Sequence, residues 1–145
     1  MMTLRAGSDS AVSGLVTRFF EEVLNGQSAE AATAILDPTF TVHHPAFPDV
    51  HGVEGVLSMV GMFHAAFPDL RYSVVEPLAQ DNRAAVRWTA TGTHEGPFFG
   101  IEPTHRSATI AGADVFHAAD GRLVASWVNS DFFGLFRQLG SFPRL

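Results

Sequence analysis

Two residues near the C-terminus have the types and the setting for proton chemistry: His117 and Asp131. Residues 106–118 and 122–131 alternate as strands do, and Asp120-Gly121 between them is a hairpin signal. Period-two geometry puts Leu123, Ala125, Trp127, Asn129 and Asp131 on one face. On the preceding strand Ala111, Ala113, Val115 and His117 share a face, and the turn makes the two faces continuous. An aspartate ending an apolar strand face has its charged form disfavoured, so one carboxyl group can act as general acid and general base. A nearby histidine can donate a hydrogen bond to a carbonyl or enolate oxygen. At about 3.3 Å per residue the two need not touch, but they can bracket an elongated ligand. Plainer roles stand beside these. Asp131 directly precedes an amphipathic stretch and is a favoured helix N-cap. His117 also reads as a partly exposed strand-end residue. Periodicity alone leaves both pairs of readings open.

The other histidines are less informative. His43 and His44 are adjacent, so in a strand only one of them faces the core. His64 falls on the apolar stripe of a helix, and His51, His94 and His105 fall in loops or at strand ends. No HExxH or HxH spacing occurs, and no metal site is expected. There is no Gly-rich phosphate loop, no G-x-S-x-G elbow and no dinucleotide fingerprint, so no nucleotide cofactor is expected.

These residues need elements to hold them. Val12, Leu15, Val16, Phe19, Phe20, Val23 and Leu24 predict one helix over residues 9–25, capped by Ser8 or Asp9. Residues 1–8 read as a loose tail. Ser28 caps a second helix that Asp37-Pro38 ends, and residues 40–44 form a short strand. A third helix spans residues 53–67, where Pro68 stops it. Residues 70–74 and 84–90 then alternate as an antiparallel pair joined through Gln80-Asp81-Asn82. A Gly- and Pro-rich loop covers residues 94–103, and a last helix spans residues 132–139. Helices followed mostly by strands imply an α+β fold, with a curved antiparallel sheet wrapped around three N-terminal helices and a short C-terminal helix. The concave side of such a sheet is a natural ligand site.

Composition sets the outer bounds. A chain of 145 residues with 46% hydrophobic and 17% charged residues reads as one globular domain, residues 1–145. Thirteen phenylalanines need a core, a cavity or an interface. Met59, Phe63, Trp88 and Trp127 belong to the aromatic and sulfur inventory that could line a cavity for a flat polycyclic ligand. With no cysteine there is no disulfide framework and no thiolate nucleophile. A net charge of −6 without a Lys/Arg cluster argues against nucleic-acid binding. No segment reads as a secretory signal or a membrane span, so the expectation is a cytoplasmic protein.

The run GTHEGPFFGIEPTHRSATIAGADVFHAADGRLVASWVNSDFFGLFRQLG resembles the C-terminal half of SnoaL-like polyketide cyclases. FFEEVLN, TVHHP and AFPDL extend the similarity over residues 15–140. These cyclases sit in the α+β cone superfamily with nuclear transport factor 2 and ketosteroid isomerase. The resemblance implies an acid/base aspartate at Asp131, assisted by His117, catalysing an intramolecular aldol condensation without a metal or cofactor. Trp127 and Asn129 enter as face-sharing substrate contacts, and His44 and His64 as pocket-lining residues with no catalytic role. The chain departs from the family's usual small or flexible residue at His105. The expected substrate is a bulky apolar or polycyclic carbonyl compound, and a homodimer or higher oligomer is expected through the convex sheet face. Two other readings compete: a hydrolase or isomerase in the same cone, and a non-catalytic small-ligand-binding protein. The hydrolase wants a second inward acid, and Asp114 lies on the opposite strand parity from His117.

Overall fold

In the computed structural model, which describes the backbone of residues 2–144 and the side chains of residues 9–144, the chain begins as helix α1, Met2–Arg18. The backbone is helical from Met2, so the expected loose tail over residues 1–8 is not observed for residues 2–8, and Ser8 and Asp9 lie inside the helix rather than capping it. At Phe19 the helix widens into a π-helix, Phe19–Asn25. Its bonds reach back five residues, as in Gly26 N–H to the Glu21 carbonyl at 3.1 Å. Two consecutive apolar pairs, Phe19-Phe20 and Val23-Leu24, are all buried in this segment. Ser28 then caps α2, Ala29–Ile35, accepting from Ala31 N–H at 3.0 Å.

Strand β1, Leu36–His44, leads into β2, Phe47–His51, and helix α3, Gly52–Ala66, follows. The remaining strands are β3 (Arg71–Val74), β4 (Leu78–Gln80), β5 (Arg83–Thr93), β6 (Ser107–Ala119) and β7 (Arg122–Ser130), before helix α4, Phe132–Leu139. The expected turns at Asp81-Asn82 and Asp120-Gly121 both have positive φ at both positions, which joins twisted strands tightly. The order across the sheet is β2-β1-β7-β6-β5-β3, with β4 also on β5. β1 pairs with β7 in parallel, so the curved sheet is mixed and not wholly antiparallel as expected. Adjacent parallel strands this far apart in sequence leave no local turn signal.

Helices α1, α2 and α3 pack on one sheet face. Val16, Phe20, Val23, Ile35, Phe40, Val56 and Phe116 form the main core there. A second cluster, with Phe67, Phe98, Leu135 and Leu139, lies under α4 and the loop of residues 94–106. That loop is docked by Glu95 and Gly96 N–H groups, which cap the Ala66 carbonyl at the end of α3. A Cβ on Gly96 would stand 2.3 Å from the Ala65 oxygen, so only glycine permits this approach. Among the described residues, no helix is long and apolar enough to cross a membrane.

Two side-chain amides finish the edges. Asn25, at the end of the π-helix, donates to the Tyr72 carbonyl at 3.0 Å and accepts from Tyr72 N–H at 2.7 Å. Gln138 does the same for Thr109, which fixes α4 on β6. Each amide supplies the two-point pairing that a neighbouring strand would otherwise give.

The β6–β7 hairpin carries one irregularity with large consequences. His117 pairs with Ala125, but Ala118 pairs with Leu123, so Val124 is an extra residue in a β-bulge. Leu123 and Ser126 are therefore both buried, at 0% and 1% exposure, although three residues apart. Beyond the bulge the parity of β7 is inverted. Ser126, Val128 and Ser130 face inward, and Trp127 and Asn129 face outward.

Candidate active site

The inner sheet face, α3, the π-helix and α4 line an apolar cavity of about 90 Å³ that opens to solvent. Phe19 and Leu24 come from the π-helix, Met59 and Phe63 from α3, and Phe132 and Leu135 from α4. Phe98 arrives on the 94–106 loop, and Trp88, Ala90 and Ile110 form part of the sheet wall. Against this background the polar lining is sparse: His44, Tyr72, Asp114, Ser126 and Ser130.

Asp114 is the one carboxyl group on the cavity wall among the described residues. It is 4% exposed, and burial pushes its carboxyl up to about 7. The Trp88 indole donates to its Oδ1 at 2.9 Å, which favours the charged form and opposes that rise. Gly112 makes the bond possible. A Cβ there would lie 2.3 Å from the indole ring, because Trp88 is paired with Gly112 and leans across it. Tyr72 also lines the cavity, packed on Phe20 and Trp88 with centroids 5.8 and 5.2 Å away. Burial, and then the nearby Asp114 charge, push its phenol well above the usual value, so it stays a neutral donor. A carboxyl group near 7 beside a neutral phenol can take a proton from carbon and return it, with a donor at hand for developing negative charge.

The other polar end is His44. Its ring is stacked on Phe47, with centroids 4.2 Å apart, and lies 5.0 Å from Phe132. Ala46 N–H donates to Nδ1 at 2.9 Å, and Nε2 lies 2.7 Å from Ser130 Oγ. Burial holds the imidazole below its ordinary pKa.

The structure separates the residues singled out from sequence. His44, Met59, Phe63 and Trp88 line the cavity. His64 does not, since its Nε2 bonds the Leu24 carbonyl at 2.7 Å and ties α3 to the π-helix. The expected His117/Asp131 pair is not on the cavity wall. His117 lies on the outer sheet face, 4.5 Å from the Trp127 ring, and Trp127 stacks on His43 at 5.0 Å. Burial and the Arg83 charge lower the His117 pKa. Asp131 is exposed and caps α4, its Oδ1 accepting from Gly134 N–H at 2.8 Å. Through that cap it directs Phe132 and Leu135 at the cavity. Trp127 and Asn129 are exposed, on the outer face and away from the cavity. His105 is exposed in the 94–106 loop, 3.0 Å from Glu95 Oε2. The placement of Trp127, Asn129 and Asp131 followed from carrying Leu123's parity through the bulge.

The strand pattern does not mark Tyr72, Ser126 or Ser130 as cavity residues, and it sets Asp114 aside because its parity is opposite to that of His117. The inner face of β6 reads Ala108, Ile110, Gly112, Asp114 and Phe116, which looks no more apolar than Ala111, Ala113 and Val115 outside. The usable signal was Asp114 flanked at two residues by Gly112 and Phe116, with Trp88 on the next strand able to reach it. Among the described residues, no group of three or more His, Asp or Glu side chains is placed to hold a metal ion.

Comparison with solved structures gives close matches over nearly the whole chain. A protein from Jannaschia sp. CCS1, assigned as a SnoaL-like polyketide cyclase, superposes with a TM-score of 0.84 at 20% identity, covering 93% of this chain and 95% of that one. IdmH, assigned as a polyketide cyclase of Streptomyces antibioticus, gives 0.77 at 28% identity over 89% and 98%. A protein from Acidithiobacillus ferrooxidans with the same assignment gives 0.79 at 27% over 90% and 94%. A comparison with curated proteins gives no match. The sequence profile of the SnoaL-like polyketide cyclase family matches residues 14–139, and the chain belongs to that family.

Proposed function

We propose that the protein is a cyclase- or isomerase-type enzyme that moves a proton on a bulky apolar carbonyl compound, with Asp114 as acid and base. The observation that carries this is Asp114 itself, a buried carboxyl with a pKa of about 7 on an otherwise apolar wall. Near neutral pH both of its protonation states are populated, which is what a group that both takes and returns a proton needs. The carboxylate removes a proton from carbon next to a carbonyl, and the enolate oxygen is held by the Tyr72 hydroxyl. The enolate carbon then attacks a second carbonyl, forming the ring bond, and the new alkoxide takes the proton back from Asp114. Reprotonation of the enolate at another carbon gives isomerisation instead. Membership in a polyketide cyclase family supports the first outcome.

The experiment uses 2-tetralone, an apolar bicyclic ketone with acidic benzylic protons, in heavy water near neutral pD. Proton NMR is expected to show protein-accelerated deuterium exchange, falling by about 10²-fold or more in Asp114→Asn. Equal exchange in wild type and variant overturns the assignment.

The outer sheet face supports pairing with a second copy. Trp127 and Val115 stand on it at 39% and 40% exposure, with His43 stacked on the indole and His117 tilted against it. Exposed apolar side chains grouped in this way on the outer sheet face are suited to a self-complementary interface.

A further inference from the structure

His44 and Ser130 look like a nucleophile and its base, but their protons are arranged the opposite way. In a working pair the imidazole nitrogen facing the hydroxyl must carry a lone pair, with the ring proton on the other nitrogen. Here the Ala46 N–H donates to Nδ1 at 2.9 Å, so Nδ1 is the nitrogen with the lone pair. A nitrogen that accepts an N–H carries no proton, so the ring is neutral and its one proton sits on Nε2. Nε2 then donates to Ser130 Oγ at 2.7 Å. The hydroxyl cannot pass its proton to His44. Its own proton is left to donate elsewhere, and accepting from the imidazole makes it a better donor.

We propose that Ser130 is the second polar anchor of the cavity, donating to an acceptor oxygen of the substrate, a ketone or ester carbonyl, held apart from the carbon that faces Asp114. The proposal rests on the reading of this cavity as the substrate site. The spacing follows from the sheet. Asp114 is paired with Val128 and Ser130 with Gly112, so Asp114 and Ser130 are diagonal neighbours on one face. Such positions lie roughly 7–8 Å apart. The substrate class is therefore a compound with two oxygen functions, one beside the acidic carbon and one several bonds away, on an apolar frame. The stack of His44 on Phe47, with Phe132 5.0 Å away, holds the imidazole and hence the hydroxyl in place.

Acetophenone and α-methylstyrene share size and shape, and where one has the carbonyl oxygen the other has a methylene carbon. Calorimetric titration of proteins that all carry Tyr72→Phe, which removes the other neutral donor of the cavity, at about pH 9, where Asp114 is ionised and cannot donate, measures preference for the acceptor. The Tyr72→Phe protein with Ser130 intact is expected to favour acetophenone by about tenfold, the worth of one hydrogen bond. Ser130→Ala is expected to lose that preference, and Ser130→Thr, which returns the hydroxyl, to restore it. An undiminished preference in Ser130→Ala overturns the proposal while leaving the proton-transfer reading to its own test with 2-tetralone. Binding of neither compound at millimolar concentration overturns both. p-Nitrophenyl acetate supplies the opposite check. No acylation burst is expected, and a stoichiometric burst abolished by Ser130→Ala overturns the donor role.

Discussion

Replacing Asp114 with asparagine tests the electrostatics of the cavity without any knowledge of the substrate. In the folded protein burial raises this carboxyl from 3.8 to about 7. Between those values the native state holds a proton that the unfolded chain has released. Stability from this group is therefore complete below about pH 4, is lost as pH rises toward 7, and is flat above. At about 1.36 kcal/mol for each pH unit, the gap between 3.8 and about 7 amounts to about 4 kcal/mol. Asparagine has the same shape, can accept the Trp88 N–H, and does not titrate. Urea unfolding of both proteins at about pH 4 and about pH 8 gives the comparison. The wild type is expected to lose about 4 kcal/mol relative to the variant across that interval. Groups common to both proteins, including the depressed His44, cancel in the difference. A wild-type-minus-variant difference constant to within about 1 kcal/mol would refute the reasoning.

Three further predictions follow from named contacts. Trp88→Phe removes the one hydrogen bond that favours ionised Asp114, so the carboxyl should titrate about one to two pH units higher, read by carbon-13 NMR of labelled aspartate; an unchanged or lower value contradicts the role of the indole. Asp131→Ala should cost about 0.5–2 kcal/mol as a lost N-cap, Asp131→Asn should be nearly neutral, and both should keep 2-tetralone exchange; loss of exchange in a folded Asp131→Asn protein would return that residue to the chemistry. The wild type should have a dimer's mass or larger by light scattering at micromolar concentration, and Trp127→Glu should be monomeric; a monomeric wild type would argue against the outer face as an interface.

Much of the fold was legible because it is written in short-range pattern. The helical stripe of residues 12–24, the alternation of residues 84–90 and the two-residue turns at Asp81-Asn82 and Asp120-Gly121 each depend on neighbours in sequence. Helix α4 spans the expected residues, and Asp131 caps it, one of the two roles its position allowed. The π-helix was not legible, since a change from four-residue to five-residue bonding barely alters the stripe. Nor was the parallel pairing of β1 with β7, which joins segments about 80 residues apart along the chain.

The sequence by itself determined the family, the α+β class, an aromatic-rich interior and a short list of carboxylates and histidines. Only the tertiary structure decided which of them meet the cavity. One extra residue, Val124, turns the rest of β7 over, which sends Trp127 and Asn129 outward and brings Ser126, Val128 and Ser130 in. The facing parity on β6 buries Asp114 and leaves His117 on the outer face. A bulge shifts the register by one residue and leaves the alternation intact only on either side of it, and no residue type at Val124 marks where the shift falls. Burial then does the rest: it lifts Asp114 to about 7 because it sits behind Trp88 and Gly112, whereas Asp131 remains in water as a cap.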